Sequence, residues 1–412
     1  MLNAKNEREL CYVVRVDEIK PIEGRDRVEC AVVGGWTIMV RKGQFQPGSL
    51  GIYFEIDSQV PEKEPFMFLE AKKFKIKTQK YKTPDGQFWS QGLLMGAEDF
   101  GWTTAERESD TCSTCIVDSD GVAHYVDDES RFLTKQLNVI YAVAEDNSRK
   151  AGSADKYKKM AQRNGKLFAH QPFRWLMRHE WGKKLLFVFF GKKKDKKGGW
   201  PEWVAKTDEE RVQNMPWILA DKSEWIATEK IDGTSTTFTM KRGKRRNQYD
   251  FYICSRNVVF DKPDKQCFYD SNVYVEMAEK YNVESVLRQI LENRPDLDWV
   301  TLQGETYGAG IQKRDYSLKD HDFVGFNFIT SASGRWNSVD AKNLMNGFGI
   351  PWVPIVDEHF VLPDTVDELL TIATDKSVID GGMREGPVFR SQDGAKSFKA
   401  VSNEFLMKYH NG

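Results

Sequence analysis

From Thr228 to Thr234 the chain reads Thr-Glu-Lys-Ile-Asp-Gly-Thr, an apolar-flanked strand ending in Lys230, with Asp232 two residues on and Gly233 behind it. The pattern calls for a strand that runs into a tight turn and sets an amine beside a carboxylate, with glycine allowing the backbone to turn. Free lysine titrates near ~10.4, so its amine attacks at neutral pH only where burial or nearby positive charge, such as a metal ion, lowers its pKa. A solvated lysine beside an Asp-Gly turn needs no chemistry at all. The downstream residues decide between these readings.

After Lys230, the strand text Tyr252-Ile253-Cys254 runs into Ser255-Arg256-Asn257, a phosphate or ribose grip. Val300 to Gly308 delivers the lone carboxylate of Glu305 between glycines. Phe323 to Ile329 alternates around Phe326, a ring able to stack on a base. Glu385-Gly386 precedes another β segment, and Lys396-Ser397-Phe398-Lys399 offers ammonium groups at a strand end. Singly, Glu305 and Glu385 read as strand-end surface charges, Phe326 as core, and the two lysines as a protected sheet edge. Together, in this order, they supply a nucleophile, a grip, metal-binding carboxylates, a base stack and a charge clamp. Nucleotidyl transfer to a lysine requires that set.

The order resembles the covalent nucleotidyltransferase superfamily of polynucleotide ligases and RNA capping enzymes, over roughly the second half of the chain. Val204 to Asn214, the text around Lys230, and Ser397 to Asn403 are similar to one branch, the nick-sealing RNA ligases with an N-terminal OB module, or type-five RNA ligases. The resemblance implies ATP-dependent joining of 3′-OH and 5′-phosphate ends, at nicked duplex or other RNA ends, through a lysyl-AMP and a 5′-adenylylated strand. It implies that Lys230 is the nucleophile and that Asp232, Glu305 and Glu385 hold a hydrated Mg²⁺ or Mn²⁺, partly through water. Arg256 is then expected on phosphate or ribose, with Glu305 also within reach of ribose. Phe326 is expected on adenine, Glu229 at its exocyclic amine, and Lys399, with Lys396 or alone, on the α-phosphate. Two positions depart from the family pattern: several ligases have Lys-x-Lys where this chain has Lys396-Ser397-Phe398-Lys399, and Asn327 stands where many relatives carry an acid. Thirteen residues follow Lys399, too few for the C-terminal OB domain of DNA ligases and capping enzymes. A capping-type guanylyltransferase and a non-catalytic nucleic-acid-binding protein remain the alternatives. The second should have lost the nucleophile or the acids, and all are present.

Length and composition agree with this reading. A chain of 412 residues holds two or three domains, and 40% hydrophobic with 29% charged residues is the balance of a soluble globular protein. Met1 to Leu10 is polar, and the apolar run Leu185 to Phe190 is too short to span a bilayer, so a cytoplasmic or otherwise intracellular monomer without membrane contact is expected. A net charge of −1 suits a nucleic-acid binder only if basic residues are segregated. Lys72 to Lys77 alternates as a strand with lysines on one side, and Lys192 to Lys197 and Lys241 to Arg246 read as basic loops. Among six scattered cysteines only Cys112 and Cys115 have a suggestive spacing, without a second pair to complete a zinc site.

Short strands and turns from Leu10 to Leu94 suggest a small barrel, and Lys20 to Glu29 is similar to the opening of the OB module in the ligase branch. The expected class is α+β: an OB-like nucleic-acid-binding module over 1–128, a connecting segment over 129–199, and a nucleotidyltransferase domain over 200–412 with antiparallel sheets and flanking helices. A short helix is expected at Asp208 to Gln213, and one amphipathic helix over Val273 to Leu291.

Overall fold

A computed structural model describes residues 1–142 and 200–412, apart from positions 6, 85, 107–113, 246, 257, 261–271 and 411–412, together with positions 170, 173, 176, 179 and 186. The expectations for Lys192 to Lys197, Asn257 and Cys112 lie outside the described residues. Residues 1–142 and 201–412 form one compact unit, and 143–200 a second.

The N-terminal part is built from short antiparallel strands. Cys11–Arg15 pairs with Leu50–Phe54, which pairs in turn with Leu93–Met95, and Glu18–Pro21, Val28–Val33 and Trp36–Arg41 form a meander. Alternation along these strands sends side chains to two apolar clusters. Val13, Ile52 and Phe54 meet on one side, while Tyr12, Trp36 and Tyr53 meet on the other. The chain from 129 to 142, expected to begin a connector, packs here instead. Leu133, Leu137 and Val139 enter the first cluster, and Ile140–Tyr141 pairs with Ser58–Gln59.

The second part carries two antiparallel sheets. One runs in the order Val259–Phe260, Tyr249–Ser255, Thr234–Arg242, Trp299–Gly308, His321–Thr330, Gly334–Arg335. The other runs Ile355–Val361, Glu224–Glu229, Pro387–Ser391, Ser397–Lys399. Helices Val283–Asn293 and Ser338–Gly347 bury apolar faces, including Leu287, Leu291 and Met345, against the longer sheet.

Local chemistry overrides three sequence expectations. The expected single helix is two, Val273–Lys280 and Val283–Asn293, because Asn282 adopts φ 48°, a left-handed geometry that asparagine tolerates and a helix interior does not. The expected helix at Asp208 to Gln213 is replaced by two short 3-10 turns, Val212–Asn214 and Pro216–Ala220, the second opening on Pro216, which lacks an N–H to donate. Lys72 to Lys77 is not one strand. Lys73 and Phe74 both have positive φ, leaving only Lys75–Ile76 in a sheet.

Candidate active site

Glu224–Glu229 ends where the two sheets come together, and Lys230 follows directly. Its N–H donates to the Gly386 carbonyl at 2.7 Å, and its Nζ donates to Glu385 Oε2 at 2.8 Å. Next to it the Asp232 N–H donates to the Tyr316 hydroxyl at 2.7 Å. Gly233 does not have positive φ. A Cβ there would come within 2.4 Å of the Thr306 carbonyl oxygen, so glycine is required for close approach of two strands and not for turn freedom. Gly386 needs both: its φ is 145°, and a Cβ would stand 2.0 Å from the Ala400 carbonyl oxygen. Gly386→Ala is expected to destabilise the fold by about 3 kcal/mol or more, whereas Gly381→Ala, at φ 71° with open space around it, costs only the backbone strain. Urea unfolding of the two variants measures the difference.

Lys230 opens into a cavity of about 300 Å³ lined by Glu229, Asp232, Gly233, Arg256, Glu305, Phe326, Glu385, Arg390 and Lys399. Nine of the ten positions expected at the site therefore face one space. The exception is Lys396, an exposed side chain outside the cavity that pairs with Asp221 at 3.2 Å. The one extra residue between the lysines leaves Lys396 just before Ser397–Lys399, and of the two only Lys399 lines the cavity.

Electrostatics around Lys230 differ from the expectation of a depressed amine. Burial works to lower its pKa, but Glu385 and Glu305 dominate and hold it up at about 12. The carboxylates show the complementary effect. Burial, with Glu385 nearby, raises Asp232 to about 6, and burial raises Glu305 to about 8 against the pull of Lys230. Lys399 lies at about 7, lowered by burial and by repulsion from Arg8, Arg211 and Lys230. Among the described residues no three carboxylate, imidazole or thiolate groups converge as a direct metal-ligand set. Asp232, Glu305 and Glu385 line the same cavity, and their carboxylates are the hard oxygen donors that a divalent cation takes.

Two expected binding residues are committed to protein partners. Arg256 NH2 donates to both oxygens of Asp208, at 2.7 and 2.8 Å. Glu229 Oε2 accepts from the Val378 N–H at 2.8 Å, while Oε1 is buried in the cavity wall without a partner. Phe326, half-buried, has the Arg390 guanidinium 5.8 Å from its ring centroid. Asn327 is a buried relay: it donates to Gln303 Oε1 at 3.0 Å and accepts from Arg390 Nε at 3.0 Å. Its amide serves both neighbours at once, which a carboxylate, being acceptor-only, would not do.

Sequence reasoning missed the residues that reach this cavity from afar. Arg8, Asp57 and Tyr141 come from the N-terminal part, Arg211 from the segment before the first sheet, and His410 from the last turn of the chain. Arg8 is held by Glu55 at 3.0 Å, Arg211 NH2 by Asp57 at 3.5 Å, and His410 Nε2 lies 3.8 Å from Asp232 Oδ1. Arg211 lies in the Val204 to Asn214 stretch that carries the family resemblance, but Arg8, Asp57, Tyr141 and His410 sit in no periodic or motif-like stretch, so no local signal marks those four.

Comparisons with known proteins follow this division of the chain. The sequence model of the RNA ligase family matches residues 223–410, and an OB-fold domain model matches residues 10–96. No curated protein sequence matches the chain. Among solved structures, Naegleria gruberi RNA ligase with PPi is similar at TM-score 0.68 and 23% identity, over 98% of this chain and 100% of that one. Mutants of the same ligase with ATP and Mn, and with AMP and Mn, are similar at TM-score 0.68 with 23% and 24% identity, each covering 98% of this chain and 100% of theirs. At this identity the likeness establishes the fold, an OB-fold domain followed by a ligase domain of antiparallel sheets and few helices. No described helix is long and apolar enough to cross a membrane. Residues 223–410 are thus an RNA ligase domain by sequence, placed behind an OB-fold domain over residues 10–96.

Proposed function

We propose that the chain seals RNA 3′-OH and 5′-phosphate ends, in particular nicks in duplex nucleic acid whose 3′-OH strand ends in RNA, using ATP. The observation that carries the reading is Lys230 in a cavity with Lys399 facing it and three carboxylates around it. The neutral Lys230 amine attacks the α-phosphorus of ATP, an N–P bond forms as the bond to pyrophosphate breaks, and lysyl-AMP results. The 5′-phosphate of one strand then takes the AMP and frees the amine. Finally the 3′-hydroxyl attacks that phosphorus, AMP leaves and the phosphodiester forms. Each step is an in-line displacement, so positioning and charge neutralisation dominate catalysis.

The protein groups divide the work. Lys399 meets the α-phosphate. Phe326 stacks on adenine, and the unpartnered Glu229 Oε1 accepts from its exocyclic amine, which leaves no buried acceptor unpaired. Arg256, already oriented by Asp208, contacts phosphate or ribose. Asp232, Glu305 and Glu385 would hold a hydrated Mg²⁺ or Mn²⁺, whose charge favours amine over ammonium at Lys230 and offsets charge on the phosphates. Neighbouring ligase structures that contain ATP or AMP with Mn support that choice.

A duplex nick with a labelled 5′-phosphate tests the reading. Joining is expected with ATP and a divalent ion, to fall to background with chelator, and to weaken when the 3′-OH nucleotide is DNA. Sealing driven by GTP and not ATP would contradict it.

A further inference from the structure

Between residues 72 and 82 the sequence has six lysines and no acid. In the hairpin Gln79–Thr83 and Gly86–Ser90, Lys80 lies opposite Trp89, so Lys80, Lys82 and Trp89 share one face. The hairpin is fixed to the barrel: Thr37 Oγ1 donates to the Trp89 carbonyl at 2.8 Å, and the Met39 N–H donates to Ser90 Oγ at 3.0 Å. Some other surface lysines are paired, Lys20 with Glu18, Lys222 with Asp364 and Lys280 with Asp322. Lys75, Lys80 and Lys82 have no such carboxylate partner among the described residues. The strip is also continuous with the active site. Lys77, two residues from Lys75, donates through Nζ to the His410 carbonyl at 2.6 Å, and His410 lines the cavity.

We propose that Lys75, Lys80 and Lys82 bind the phosphate backbone of duplex RNA flanking the ends that occupy the cavity, an inference that rests on the sealing function above. Uncompensated ammonium groups on a hairpin hydrogen-bonded to the barrel, Lys80 and Lys82, with Lys75 on the strand just before it, suit a polyanion of fixed spacing. A duplex is favoured over a splayed single strand because Lys80 Nζ sits 5.0 Å from the Trp89 ring centroid and covers the aromatic face on which an unpaired base would stack.

The test uses the full chain carrying Lys75→Gln, Lys80→Gln and Lys82→Gln together. Labelling by α-labelled ATP without nucleic acid is expected to equal wild type, which also shows the variant is folded. Affinity for a nicked RNA duplex is expected to fall at least about tenfold at low salt, and the slope of log affinity against log salt to shrink by about 2 to 3, near 0.9 per lost phosphate contact. Wild-type affinity and slope in the variant would overturn the proposal, as would a loss confined to single-stranded RNA. Failure of wild-type protein to take label from ATP would instead count against the sealing function, while the binding measurements still decide the surface.

Discussion

Lys230→Ala is expected to reduce transfer of label from α-labelled ATP to background, a loss of at least about 10³-fold, because no other amine occupies the end of Glu224–Glu229. Among the described residues, Lys399 is the only other lysine lining the cavity. It ends a different strand, Ser397–Lys399, and sits near Arg8, Arg211 and Lys230. Removing Lys230 leaves Glu385 without its 2.8 Å partner, so some loss of stability is expected as well. Two readouts separate chemistry from folding. Nucleic-acid binding should persist in the variant, and sealing of a strand supplied already adenylylated should survive, since that step does not use the amine as nucleophile. Full label transfer in Lys230→Ala would remove the nucleophile assignment.

Lys399→Met is expected to weaken ATP binding and slow adenylylation by about 10² or more, the scale of losing one charged donor at a reacting phosphate. Its pH dependence is the sharper test. Without ligand Lys399 titrates at about 7, lowered by burial and by Arg8, Arg211 and Lys230. A bound phosphate favours the ammonium, so its contribution to affinity is fully present below about pH 7 and declines as the pH rises above that value. Wild-type ATP affinity should therefore fall between pH 7 and 9, and the fall should be absent in Lys399→Met. The same shift has a stability consequence of opposite direction. The unfolded chain holds this proton up to its ordinary value near ~10.4 while the folded chain releases it from about 7, so Lys399 costs stability at neutral pH and the cost shrinks as pH rises. Calorimetric titration with ATP across this range, on both proteins, measures the first effect.

The site was legible in the sequence wherever chemistry is tied to a strand end. Lys230, Glu305, Phe326, Glu385 and Lys399 all lie on or beside strands that pair in the two sheets, and alternation along a strand already says which side chains share a face. What pattern reading could not supply was convergence across long separations. Arg8 and His410 stand 402 positions apart, yet both line the cavity, and neither lies in a stretch with a period. Charge balance was equally hidden. Lysine next to aspartate says nothing of Glu305 and Glu385 arriving from distant parts of the chain to hold the amine protonated, and so the expected depression of Lys230 is reversed. Lys396 illustrates a limit of carrying over motifs: a two-residue spacer in place of one turns a pocket lysine into a surface partner of Asp221. In the fold, apolar periodicity located the helical region, but the break at Asn282 and the paired positive φ of Lys73 and Phe74 are single-residue backbone choices that hydrophobic patterning does not encode.

The central claim, covalent nucleotidyl transfer through Lys230, is tested most directly by incubating the folded wild-type protein, first freed of any bound adenylate, with Mg²⁺ and ATP and mapping the adduct by mass spectrometry after proteolysis. One AMP on the peptide carrying Lys230, formed with ATP and not with GTP, is the expected result. AMP on a different residue, or no adduct in protein that binds ATP, would contradict it.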